Sequence, residues 1–183
     1  MEKKSCVVIS AIGKDRPGIV SAVSKVLFEA GCNLEDSSMT ILQGEFAMIL
    51  IVSVPKTLTF SILDQKFNVI RQEQGLSVFL RPLSDQEIGS HQSRGTLHMI
   101  SVYGNDQTGI VYRVAQLLAD RQANITDVST KRTVQDHSPL YMMMLEVECP
   151  KHLNLPALEK ELNQLAKDLA VTITFHPIDT LTL

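Results

Sequence analysis

At 183 residues, with 44% apolar and 20% charged residues and a net charge of −3, the chain has the composition of a globular protein. It lacks the basic excess of a protein that neutralises many phosphates, so direct nucleic-acid binding is not expected. No stretch approaches ~18 unbroken apolar residues and no spanning helix is expected. Met1-Glu2-Lys3-Lys4-Ser5 leads into a strand-like run rather than a secretory signal. Cys6, Cys32 and Cys149 are scattered and lack C-x-x-C spacing; they read as buried reduced thiols of a cytoplasmic protein, not as a metal or redox site.

Cys6 to Ile12 is apolar on both alternations, as in a strand that is central in a sheet or covered on both faces. Gly13 ends it. Ile19, Val20, Val23, Val26, Leu27 and Ala30 then recur at three- and four-residue steps, the stripe of an amphipathic helix. Pro17 is expected in its first turn and Gly31 just past its end. The mixed segment Leu34 to Leu42 runs to a turn at Gln43-Gly44-Glu45. Phe46, Met48, Leu50, Val52 and Val54 alternate along the next strand. Ala47, Ile49 and Ile51 on its opposite face are also apolar, so that face is expected to be covered by a neighbour. Pro55 to Thr59 breaks the chain and caps a second helix, striped by Leu63, Phe67 and Ile70 and closed by Gly75. Leu76 to Leu80 reads as a strand stopped by Pro82.

Ser84 to Gly95 is polar and without periodicity, the composition of a linker. Thr96 to Tyr103 restarts the pattern. Leu117 and Leu118 fall in a third helix, Asn124 opens a strand to Val134, and Gln135 to Pro139 holds a turn. Tyr141 to Cys149 is a long strand whose Met142, Met144 and Glu146 make a wetter face. Leu155, Leu158, Leu162, Leu165 and Leu169 stripe the fourth helix, and Val171 to Phe175 ends the fold before Pro177.

The second half repeats the first. Gly13-Lys14-Asp15-Arg16-Pro17-Gly18-Ile19-Val20 returns as Gly104-Asn105-Asp106-Gln107-Thr108-Gly109-Ile110-Val111, an offset of 91 that also carries Asn33 to Asn124 and Asp36 to Asp127. Beyond one small insertion the offset is 95, carrying Phe46 to Tyr141 and Pro82 to Pro177. The chain is therefore read as a duplicated domain, 1–83 and 96–183, joined by 84–95. Each copy reads strand, helix, strand, strand, helix, strand. That order is the α+β, ferredoxin-like βαββαβ arrangement, a four-stranded antiparallel sheet with both helices on one face.

Catalytic readings fail on residue type. Gly13 to Gly18 and Gly104 to Gly109 fit G-x-x-x-x-G, but Ile and Val follow where a phosphate loop needs Lys and then Ser or Thr. His91, His98, His137, His152 and His176 make no helical zinc pair, and no G-x-S-x-G elbow accompanies them. No enzymatic activity, cofactor or metal is expected.

The doubled turn permits something milder. A helix starting just after a strand directs free N–H groups and the positive end of its dipole outward, which favours a carboxylate. Gly18 and Gly109 leave that approach open. Asp15 and Asp106 stand ready for an ammonium group, and the amides of Asn33 and Asn124 for either end of an amino acid. The same residues also have a structural reading: Asp ahead of a helix commonly caps it, and Asn at a helix exit tolerates a left-handed turn.

Asp15-Arg16-Pro17-Gly18-Ile19-Val20, the helix end Glu29-Ala30-Gly31-Cys32-Asn33-Leu34 and the βαββαβ order resemble the ACT domain, a regulatory module that binds small amino acids. The second copy keeps Asp106, Gly109, Ile110, Val111, Asn124 and Ile125 but has Gln107 and Thr108 in place of Arg-Pro. Two such modules with nothing else attached are similar to the glycine cleavage system transcriptional repressor group. The resemblance implies a cytoplasmic protein that responds to a small amino acid, glycine first. It implies restraint of a separate DNA-binding transcriptional activator protein, and a homodimer. It also implies ligand sites between modules, at Gly13, Asp15, Gly18 and Asn33 and at Gly104, Asp106, Gly109 and Asn124. Ahead of an ACT-like enzyme with hidden chemistry, which comes last, stand two other readings. One is a dimerisation or protein-interaction scaffold using the Ile49 and Ile51 face. The other is RNA binding through the sheet, which 5% aromatic residues and no Trp leave without stacking groups.

Overall fold

The structure is a computed structural model that describes residues 5–84, 87, 95–135 and 138–178, and the chain divides into two compact units, Met1–His91 and Gln92–Leu183. The first runs β1 (Ser5–Lys14), α1 (Ile19–Glu29), β2 (Asn33–Leu42), β3 (Glu45–Val54), α2 (Phe60–Lys66), α3 (Asn68–Glu73) and β4 (Ser77–Leu83). The second runs β5 (Gly95–Asn105), α4 (Ile110–Asp120), β6 (Asn124–Gln135), β7 (Ser138–Pro150), α5 (Leu155–Asp168) and β8 (Val171–Pro177). The strand orders are β2-β3-β1-β4 and β6-β7-β5-β8, with every neighbouring pair antiparallel. Both units are thus ferredoxin-like.

The alternation of each strand decides which side chains meet the helices. In β1 and β3, Val7, Ile9, Ala11, Leu50 and Val52 are buried with Ile19, Val23 and Leu27 of α1 and Leu63, Phe67 and Ile70. In the second unit Ile100, Val102, Leu145 and Val147 pack with Val114, Leu118, Leu158 and Leu162. Each fully buried side chain of this size contributes about 1.5–3 kcal/mol relative to exposure. β1 is central in the sheet, and the face it turns to the helices is buried. The other face of the first sheet has no cover from its own unit: Ile12, Ile49 and Phe79 are 48, 56 and 65% exposed.

Four details differ from the sequence reading. Pro17 lies ahead of α1, whose N-cap is Gly18. The second helix of the first unit is split at Phe67, the C-cap of α2 and N-cap of α3. β4 and β8 continue through Pro82 and Pro177, paired to Val7 and His98, because an edge strand has one side without a ladder partner, where a missing N–H costs nothing. The sheet also takes in Gly95, opposite Pro150. The rest of the linker, except Ser84 and Glu87, and residues 136–137 of the inserted turn lie outside the described residues, as do His91 and His137.

The two helix exits after α1 and α4 show how duplication preserved geometry while residues changed. Cys32 N–H donates to Leu27 O and Gly31 N–H to Phe28 O, both at 3.0 Å; Ala123 and Gln122 repeat these bonds to Leu118 O and Ala119 O at 2.9 Å. These are Schellman closures, which need a left-handed residue. Gly31 supplies it at φ +68°, Gln122 at φ +57°. Likewise Gly75 at φ +61° is matched by Ala170 at φ +48°. A side chain in this region costs about 1–2 kcal/mol, partly offset by the greater freedom of an unfolded glycine chain. Ala170→Gly is therefore expected to stabilise the protein by about 0.5–1 kcal/mol in urea unfolding, and a loss of stability would refute the strain argument.

Candidate functional site

The two turns after β1 and β5 are where the repeated residues converge. Gly18 and Gly109 are the N-caps of α1 and α4, each at φ +94°, and a Cβ built on either meets nothing within 4 Å. Glycine is thus required by the backbone and leaves the corner open. No side chain caps either helix, and neither first turn holds an acidic residue. The first intrahelical bonds come from Ala22 N to Gly18 O and from Arg113 N to Gly109 O, both 2.9 Å. The N–H groups of Ile19, Val20 and Ser21, and of Ile110, Val111 and Tyr112, have no intrahelical acceptor. Asp15 and Asp106 are accordingly not caps. Each open helix start favours an anion.

Around this common corner the units differ. Asp15 is exposed and its carboxylate makes no hydrogen bond or ion pair with another described residue. Its N–H donates to Gly44 O at 2.9 Å, and Arg16 Nη2 donates to Glu73 O at 3.3 Å, tying the turn to the end of α3. In the second unit Asp106 N–H donates to Pro139 O at 3.2 Å, and Gln107 Nε2 donates to Leu169 O, a tether equivalent to that of Arg16. Asp106, however, is ion-paired with Arg132, whose Nε lies 2.7 Å from Oδ2. Tyr141 lies close enough to feel the same carboxylate: burial pushes its phenol up, the Asp106 charge adds to this, and a hydrogen bond with Thr130 opposes it. Sequence reading did not single out Arg132 or Tyr141. The available signal was polarity: the first copy has Ile41 and Phe46 at these positions.

Gly13 and Gly104 serve close strand packing. A Cβ at Gly13 would stand 2.7 Å from Leu76 Cδ2, and one at Gly104 would stand 2.8 Å from Val171 Cγ1 and 3.1 Å from Val171 Cα. Asn33 and Asn124 open β2 and β6 as exposed residues, and the left-handed positions belong to Gly31 and Gln122 instead. Asn33 Nδ2 donates to Glu35 Oε1 at 3.3 Å. These asparagines do not join the turns of their own units. Along β3, Gly13 is opposite Phe46 and Asn33 opposite Ser53; along β7, Gly104 is opposite Tyr141 and Asn124 opposite Glu148. Seven strand positions separate the members of each pair, roughly 23 Å. Within one unit, turn and asparagine therefore stand too far apart to touch the same small amino acid. The chain leaves β1, crosses the sheet in α1 and re-enters β2 at the far end.

Concave surface lies elsewhere within each unit. A hollow of about 430 Å³ runs between α1 and α3 over Ala22, Val26, Val69 and Ile70. Another of about 380 Å³ lies at Tyr103, Lys131, Met142 and Met144 on the second sheet. Neither includes any of the eight singled-out residues. Of the remaining reactive side chains, Cys6 and Cys149 are buried, Cys32 is partly exposed, and none is in a disulfide. Burial raises the Cys32 and Cys149 thiols, with Lys66 opposing this at Cys32. His98 is buried, stacked on Phe175 at 4.7 Å with Nδ1 3.1 Å from Thr96 O. Among the described residues no group of three or more His, Cys, Asp or Glu could hold a metal ion, and no helix is long and apolar enough to cross a membrane.

Comparison with known proteins bears on both units. A family model described as the ACT domain matches residues 5–81 and again 96–176. A UPF0237 protein of Methanocaldococcus jannaschii is 40% identical over 78 residues, 42% of this chain and 87% of that one. The glycine cleavage system transcriptional repressor of Escherichia coli K12 is 46% identical over 46 residues, 25% of this chain and 24% of that protein. Two solved structures cover nearly the whole chain. An unknown protein from Galdieria sulphuraria has a TM-score of 0.80 at 25% identity, covering 97% of this chain and all of that one. A candidate glycine cleavage system transcriptional repressor has a TM-score of 0.76 at 22% identity, covering 98% and 100%, and is similar in fold.

Proposed function

The chain belongs to the ACT domain family across both units, and on that premise we propose that it is an amino-acid-responsive regulator of transcription, taking glycine as its preferred ligand. It acts in the cytoplasm without touching DNA, by restraining a separate DNA-binding activator of the glycine cleavage system. One observation carries this reading: an uncapped helix start with an unobstructed approach and an aspartate in the same turn, present in both units. An α-amino acid has the complementary chemistry, its carboxylate for the N–H groups and its ammonium for the aspartate. The partial match to a protein named as the glycine cleavage system repressor supports the choice of glycine and of the process.

A turn and the asparagine of its own unit stand roughly 23 Å apart, so one small ligand does not touch both within a unit. We therefore take the working form to be a homodimer, with 84–95 as a connector. Titration calorimetry of the intact chain with glycine, alanine and serine, alongside light scattering, tests the reading. Saturable heat with glycine strongest, from a dimeric species, is the expected result. Absence of heat with all three at millimolar concentration would sink it. A dimer that binds none of them would instead favour a protein-interaction scaffold, to which the uncovered face at Ile12, Ile49 and Phe79 lends itself.

A further inference from the structure

The two turns carry the same carboxylate in different company. In the first unit, one row across the sheet reads Gly13, Phe46 and Ile41; the matching row in the second reads Gly104, Tyr141 and Arg132. Ile41 is an apolar side chain at the end of an edge strand, and Asp15 beyond the row is left without a partner. Arg132 at the same place reaches the turn and forms an ion pair with Asp106, Nε lying 2.7 Å from Oδ2. The Asp106 side chain is 23% exposed and Arg132 71%, so the carboxylate is held on the protein side of the pair while the arginine shields it from solvent. Tyr141 stands in this row where the first unit has buried Phe46.

We propose that Arg132 is a built-in counter-ion that fills the ammonium position of the second turn, so that the chain takes up one amino acid, at the turn bearing Asp15. This rests on the amino-acid reading above. A ligand ammonium approaching Asp106 meets a guanidinium already ion-paired there. It gains no net charge-assisted bond by replacing it, and it is repelled by the displaced cation. A charge-assisted hydrogen bond forgone makes the second site about tenfold weaker or more. The duplication has thus left one responsive module and one whose carboxylate is already paired by a side chain of its own unit.

The test is titration calorimetry with glycine on the intact chain and on Arg132→Ile, Asp15→Asn and the double variant, with thermal melts confirming that each folds. Arg132 is mostly in solvent, so its replacement by the residue of the first copy leaves the core untouched. One glycine per wild-type chain, two per Arg132→Ile chain, none at the same concentrations for Asp15→Asn and one for the double variant are expected. Two equal sites in the wild-type chain, or a single site in Arg132→Ile, overturns the proposal while leaving the amino-acid reading standing. No heat from wild type or Arg132→Ile removes the amino-acid reading and this inference with it.

Discussion

Replacing Arg71 with alanine is expected to lower stability by about 3 kcal/mol, a large effect for a side chain outside the apolar core. The reason lies in the break between α2 and α3. In a continuous helix Asp64 O would accept from the N–H four residues on; here Phe67 N–H takes it instead, at 3.1 Å. Arg71 Nη1 donates to the same carbonyl at 3.0 Å and to Asn68 Oδ1 at 2.8 Å, while Nη2 pairs with the Asp64 carboxylate. Nε and Nη2 also donate to Val78 O at 3.2 and 2.9 Å. Val78 is in β4, an edge strand, so one guanidinium both fastens the break and covers the open edge of the sheet. Hydrogen bonds with a charged partner contribute about 1.5–3 kcal/mol each when shielded. The pair here is 28 and 42% exposed, so the whole set is discounted to about the value of one or two. Urea unfolding of the intact chain measures it. Arg71→Lys should recover less than half, because an ammonium cannot span the fork of acceptors. A loss below about 1 kcal/mol for the alanine variant would mean the break is held by Leu63, Phe67 and Ile70 alone.

Gly104→Ala is expected to cost about 2–3 kcal/mol, and the same change at Gly13 about 1 kcal/mol or less. Both glycines occupy the same place in the repeat, so the contrast isolates what each neighbour can yield. At Gly13 the close atom is Leu76 Cδ2, the end of a side chain that can turn away, and the nearest backbone atom, Gly75 O, is 3.4 Å off. At Gly104 the new methyl meets Val171 Cγ1 at 2.8 Å and Val171 Cα at 3.1 Å. Val171 is β-branched and its backbone pairs with Gly104, so β8 must move from β5 to make room. Equal losses for the two variants in chemical denaturation would show that Val171 relaxes as easily as Leu76.

The break at Phe67 also shows where sequence reading stops. Leu63, Phe67 and Ile70 keep helical spacing across it, just as Leu158, Leu162 and Leu165 do along unbroken α5. The apolar stripe reports which face is buried and is indifferent to whether the backbone pauses. The signal was polar: Arg71 in the first copy against Ala166 in the second. At the candidate site, the open corners at Gly18 and Gly109 were legible because a strand, a glycine and an apolar stripe in succession are local facts. The assignment of Asp15 and Asp106 as either cap or ligand group was left open by sequence, and the absence of any side-chain cap decides against capping.

Duplication, the two βαββαβ orders, the core residues and the paired turns follow from periodicity and repetition along the chain, since burial of one face imposes its period on the residues that form it. The tertiary structure alone decided that Asn33 lies at the opposite end of its sheet from Asp15, and that Arg132 reaches Asp106 while Ile41 leaves Asp15 open. Those are meetings between segments remote in sequence, set by strand register and by the path of a crossing helix, and no local pattern encodes either.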